Sequence, residues 1–188
     1  MNPKYYTTPL ICAAVIAALG APLVATAQHN TPYSGLQARK IKALSDQQIA
    51  DLRTGRGMGL ALAAELNGYP GPLHVIELAA ELGLSNAQRD KMKLLFNAMK
   101  NETSALGEKL IAYEAELDQL FASRTVTEIS LDKTTQTIGS VQAALRAAHL
   151  RYHLLTLSEL TPDQAQGYAV LRGYNVERKP DRHQKHHH

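Results

Sequence analysis

Two histidines, His149 and His153, stand four residues apart in the stretch HLRYH. On a helix that spacing sets both imidazoles on one face, where two neutral ring nitrogens could reach a single ion. Zinc proteases use the same spacing, but in H-E-x-x-H, whose glutamate activates the bound water. Here Leu150, Arg151 and Tyr152 intervene. Leucine is no base, and an arginine beside the site repels a cation, so a hydrolytic reading fails. What stays open is a metal pair, or two solvated or hydrogen-bonded histidines on an alanine-rich helix. No nucleophile-base-acid arrangement with credible spacing occurs elsewhere, and the chain is expected not to be an enzyme.

The elements that must position this pair can be read from apolar spacing. Ser85 with Gln88 makes a capping box, in which each side chain satisfies one orphan N–H of a helix start. The helix it opens runs to about Ser123. Its apolar residues Met92, Leu95, Met99, Leu106, Leu110, Tyr113, Leu117 and Leu120 recur in steps of three, four and seven. After the loop ASRTVTEIS, with Thr127 or Ser130 as cap, Leu131, Ile138, Val141, Leu145, Ala148, Tyr152 and Leu155 repeat the pattern. His149 and His153 fall at the polar edge of this second seam. Two long helices joined by a short loop must pack antiparallel. A turn near residue 126 then brings Met99 and Glu102 within about one helical turn of the histidines. Both histidines with one carboxylate or thioether would suit zinc, copper, nickel or cobalt. Met99 reads first as core, and Glu102 first as a solvated helix-face charge.

Shorter elements flank the hairpin. Ser45 and Gln48 open a helix, a glycine-softened stretch GRGMG follows, and Gly68, Pro70, Gly71 and Pro72 force a turn before the short helix LHVIELAAEL. Thr161-Pro162-Asp163-Gln164 starts a last helix ending near Gly173, with threonine at the N-cap, proline at N1 and an acid at N2. With no Trp, and Val and Ile few beside Ala and Leu, the composition points to an all-α chain. The expected architecture is a long antiparallel helical hairpin, residues 85–159, within a helical domain 45–174. Its wide apolar strip must be covered by the short flanking helices or by a second copy of the chain.

The ends read differently. Residues 1–27 carry one lysine, no acid, an apolar run from Leu10 to Val24 and the sequence Ala25-Thr26-Ala27, the layout of a secretory signal cut before Gln28. Gly20 and Pro22 interrupt that run, so it would span ~30 Å of hydrocarbon poorly; a retained membrane anchor is the alternative. Residues 28–44 are expected to be a flexible leader. The only cysteine, Cys12, lies in the signal, so the exported product would form no disulfide. Charges are mixed, with a net of +3 and no long run of one sign, and nothing suggests a nucleic-acid surface. The polar tail 175–188 is expected to be disordered. Its His183, His186, His187 and His188 could capture Cu²⁺ or Ni²⁺ without a fold, and a native tail is preferred to a remnant of an expression tag. Gly55-Arg56-Gly57-Met58-Gly59 matches neither phosphate-binding pattern and follows a helix rather than a strand. Close packing through Gly57, Gly59, Ala61, Ala63 and Ala64 accounts for it better.

Leu84-Ser85-Asn86-Ala87-Gln88 and Leu160-Thr161-Pro162-Asp163-Gln164 are both L-[ST]-x-x-Q, one before each end of the hairpin. In an exported, cysteine-free chain this resembles the Spy/CpxP family of periplasmic proteins, marked by a repeated LTxxQ motif, and the related periplasmic heavy-metal sensors and resistance proteins. The resemblance covers roughly residues 73–174, and serine replaces threonine in the first copy. It implies a non-enzymatic periplasmic protein of envelope or metal stress. Such a protein would be an ATP-independent chaperone for unfolded periplasmic proteins, a dimeric cradle, a binder of transition metal ions, or an anchored sensor signalling to a partner. It also implies metal-ligating histidines on the hairpin near His149 and His153, and around His74; taken alone, His74 reads as structural.

Overall fold

The computed structural model describes residues 32–174. The chain divides into two compact units, 1–34 and 35–188, and everything below concerns the second. The stretch read as a signal, 1–27, the first residues of the expected leader and the tail with its four histidines lie outside the described residues. Among the described residues a short 3₁₀ turn, Leu36–Ala38, precedes six α-helices: α1 Asp46–Thr54, α2 Leu62–Glu65, α3 Pro72–Glu77, α4 Asn86–Ala122, α5 Glu128–Ser158 and α6 Pro162–Leu171. The protein is all-α, with no β-strand among the described residues. No helix among them is long and apolar enough to cross a membrane.

Local chemistry starts four of these helices in the same way. Ser45 with Gln48, Ser85 with Gln88, Thr127 with Ser130 and Thr161 with Gln164 each form a reciprocal capping box. A cap of this kind contributes about 1 kcal/mol. In the return helix, where either Thr127 or Ser130 could serve, threonine takes the cap and serine the third helical position.

The two long helices contact each other along their lengths, and the pairs run in opposite directions. Met92, Leu95 and Met99, early in α4, share a core with Tyr152, late in α5, and with Val75, Leu84 and Tyr168. Leu110 and Ile111, midway along α4, share a second core with Ile138 and Leu145. The apolar strip between them is not left bare. Helices α1 and α3 pack on α4, while α2 and α3 touch α5. Of the two covers the pattern allowed, this unit supplies the first itself.

Part of the stretch read as a leader joins that cover. Ile41 and Leu44 are buried in the second core, and Lys42 holds Asp118 of α4 through both its backbone N–H and its Nζ, each at 3.2 Å. The apolar pattern there was too short to reveal a partner so distant in sequence.

Gly107 shows how close the cover lies. In the middle of α4 a glycine costs about 1 kcal/mol relative to alanine, yet a Cβ at this position would stand 2.3 Å from the carbonyl oxygen of Leu52 in α1. Gly107→Ala must therefore push α1 away. The expected outcome is a net loss of about 1–3 kcal/mol despite the better helix propensity, read as a lower urea midpoint at unchanged slope. A rise in the midpoint would show that α1 does not pack here.

Candidate functional site: a buried histidine pair and a glutamate hub

Helix α5 presents His149 and His153 to the covering segment, not to solvent: they are 2% and 7% exposed. The polar edge expected for them becomes interior because the loop 55–59, α2 and the turn before α3 close over it. Gly57 lies against His149, where a Cβ would come 4.0 Å from Nδ1. Gly71 lies against His153, where a Cβ would come 3.2 Å from Nε2.

The two imidazoles differ in their partners. His153 Nδ1 is 2.6 Å from the carbonyl oxygen of Tyr69. A carbonyl only accepts, so Nδ1 carries the proton and donates, and the lone pair of neutral His153 sits on Nε2. His149 has no such anchor: its Nε2 is buried without a hydrogen-bond partner. Burial, and then the charge of His153, push the His149 pKa below the ordinary histidine value.

Beside them sits a residue that sequence reasoning missed. Glu65, the last residue of α2, is buried. Its Oε1 accepts from the phenols of Tyr168 and of Tyr174, the latter at 3.1 Å, with Arg172 Nε 3.8 Å away. Its Oε2 accepts from the Gly71 N–H at 3.2 Å and lies 3.6 Å from His153 Nδ1. Several donors offset the cost of burying a carboxylate. Burial first, and then the bond to Glu65, raise the Tyr168 pKa far above the usual tyrosine range, which keeps the phenol a donor. The Arg172 guanidinium rests 5.7 Å from the centre of the Tyr174 ring. Glu65 therefore ties α2 to α5, α6 and the segment after α6. A glutamate in LAAELNGYP carries no local mark of burial; its partners are about a hundred residues away.

The other expected ligands scatter. Glu102 accepts from Arg151 at 2.9 Å and from the Tyr152 phenol at 3.1 Å, and no hydrogen bond joins it to either histidine. Met99 is buried in the first core. His74 is partly exposed on α3, its Nδ1 3.0 Å from Glu77 Oε2. Yet His74, His153 and Met99 line one cavity of about 670 Å³, together with Glu65, Met58 and Lys100. Among the described residues no group of three or more His, Cys, Asp or Glu side chains stands ready to hold a metal ion.

In the GRGMG loop, close packing falls on Gly55 more than on the residues expected. Gly55 has φ 67°, and a Cβ there would come 2.5 Å from Thr103 Oγ1 on α4. Ala64 is buried, whereas Ala63 is exposed.

The two L-[ST]-x-x-Q motifs meet. Gln88 Nε2 donates to Gln164 Oε1 at 2.8 Å, and Gln164 Nε2 donates to Gln88 Oε1 at 3.1 Å. Gln88 Nε2 also donates to the carbonyl of Glu159 at 2.9 Å. Each glutamine thus closes its own capping box and clasps the other, tying the start of α4 to the start of α6. Leu84 is buried beneath them, and Leu160 packs on the same core. Comparison with protein-family models, with curated proteins and with solved structures finds no match for this chain.

The lowered His149 pKa has a definite sign. As pH falls below 6.5 the unfolded chain takes up a proton that the folded one resists. The contribution of His149 to stability is therefore intact above that pH and is lost as pH falls through the lower folded value. The urea midpoint should drop between about pH 7.5 and about pH 5, and His149→Leu should flatten the drop. An equal drop in both proteins would contradict this.

Proposed function

We propose that the chain is a non-enzymatic, Spy/CpxP-like protein of the periplasm that binds unfolded protein segments without ATP under envelope stress. In this reading α4 and α5 form the long antiparallel hairpin of that family, residues 1–27 are its export signal, and the working form is a homodimer. The clasp between Gln88 and Gln164 supports the likeness, because it gives the paired motifs one shared physical purpose.

The observation that carries the function is the set of large apolar side chains left outside the core. Leu94 on α4 is 67% exposed, and Leu154 on α5 and Val170 and Leu171 on α6 are likewise exposed. The flanking helices already fill the hairpin's inner strip, so these side chains have no core to complete. Leucines beside scattered lysines and arginines offer weak, reversible contact to an apolar segment of a client. The mature chain at several-fold molar excess should suppress aggregation of a chemically denatured client in the absence of ATP. Leu94→Ser with Leu154→Ser should weaken that suppression while leaving helicity unchanged. No suppression by the unaltered protein would overturn the reading.

A second reading, a transition-metal binder that reports its ion to a partner from a membrane anchor, is favoured by one specific observation. His74, His153 and Met99, three of the side chains expected as ligands, line one cavity.

A further inference from the structure

The cavity beneath the 55–59 loop holds two imidazoles and two thioethers. His153 donates its Nδ1 proton to the Tyr69 carbonyl at 2.6 Å, which leaves the lone pair of the neutral ring on Nε2. His74 lies 3.0 Å through Nδ1 from Glu77 Oε2, so that nitrogen donates to the carboxylate and its Nε2 is again the free one. A histidine anchored through one nitrogen to an oxygen is the arrangement that orients a metal ligand and raises its basicity. Both rings line the same cavity as Met58 and Met99.

Met58 is an unusual member of this group. Its φ is 43°, a left-handed conformation that few residues other than glycine adopt, and it lies between two glycines. Strain of this kind concentrates at functional positions. Met58 and His74 are partly exposed at the cavity, whereas Met99 and His153 are buried within it.

The charges around the cavity select among ions. Lys100 and Arg56 line it, and its one carboxylate, Glu65, already accepts from Tyr168, Tyr174 and Gly71. Those two cations repel any metal ion, a divalent one about twice as strongly as a monovalent one, and no free carboxylate offsets them. Two thioethers and two imidazoles, all neutral, suit a soft monovalent cation.

We propose that this cavity is a Cu(I) site, with His74 Nε2, His153 Nε2 and the sulfurs of Met58 and Met99 as donors. The inference rests on the metal-binding reading above and gives it a ligand set. Glu102 and His149 are not in that set.

The test uses the full chain with His183, His186, His187 and His188 changed to alanine. Cu(I) is titrated under reducing, anaerobic conditions against the chelator bicinchoninate, with Zn(II) and Ni(II) titrated in parallel. One Cu(I) per chain should be withdrawn from the chelator. Met58→Leu and His74→Gln should each weaken binding by about tenfold or more at unchanged helicity, and His149→Gln should leave it intact. No withdrawal of Cu(I), or withdrawal indifferent to Met58→Leu and His74→Gln, overturns the site. If Zn(II) or Ni(II) then binds and is lost in His149→Gln, the metal-binding reading survives with different ligands. If no ion binds, both fail.

Discussion

A carboxylate buried among phenols holds the covering segment to α6 and the residues after it, beside His153 of α5. Glu65 accepts from Tyr168, Tyr174 and the Gly71 N–H, and it stands beside His153. Removing a carboxylate from water is costly unless its lone pairs are filled. These donors come from α6, from the segment after it and from the turn before α3. The contacts are satisfied together only when all those elements are in place. The segment from α2 to α3 is short and weakly helical, so its position over α5 depends on such tertiary bonds more than on helix propensity.

From that constraint follow the burial of the histidine pair and the shape of the adjoining cavity. With α2 and the 55–59 loop closed over α5, His149 is enclosed with an unpaired nitrogen and a lowered pKa. His153 is held by the Tyr69 carbonyl of the same covering segment. Large apolar side chains remain exposed on the outside of α4, α5 and α6, among them Leu94, Leu154 and Val170. The proposed roles thus occupy different places, with apolar contact on the outer faces and metal chemistry beneath the cover. Gln88 and Gln164 join the two ends of this arrangement by a reciprocal pair of amide bonds.

Much of this was legible where the determinants are local. The capping boxes at Ser45, Ser85 and Thr161 announce three helix starts, and the apolar steps from Met92 onward mark the buried face of α4. The apolar spacing placed Glu102 near the HLRYH stretch, and it does contact Arg151 and Tyr152 there. Its side of the helix was not legible: Glu102 meets Arg151 and Tyr152 while the histidines point under the cover. A heptad-like seam fixes which residues meet across two helices, but a third layer decides whether the seam's edge is wet or dry. Glu65, Ile41 and Leu44 belong to that layer. Each sits in a stretch too short for periodicity, with partners far along the chain, so no local pattern could reveal its burial.

The most direct measurement of the central claim is a double-mutant cycle on Glu65→Gln and Tyr168→Phe, read by urea unfolding. If the buried carboxylate and phenol hold the cover in place, the two losses should be strongly non-additive, with a coupling of about 1–3 kcal/mol. Additive losses, within about 0.5 kcal/mol, would contradict a hub centred on Glu65.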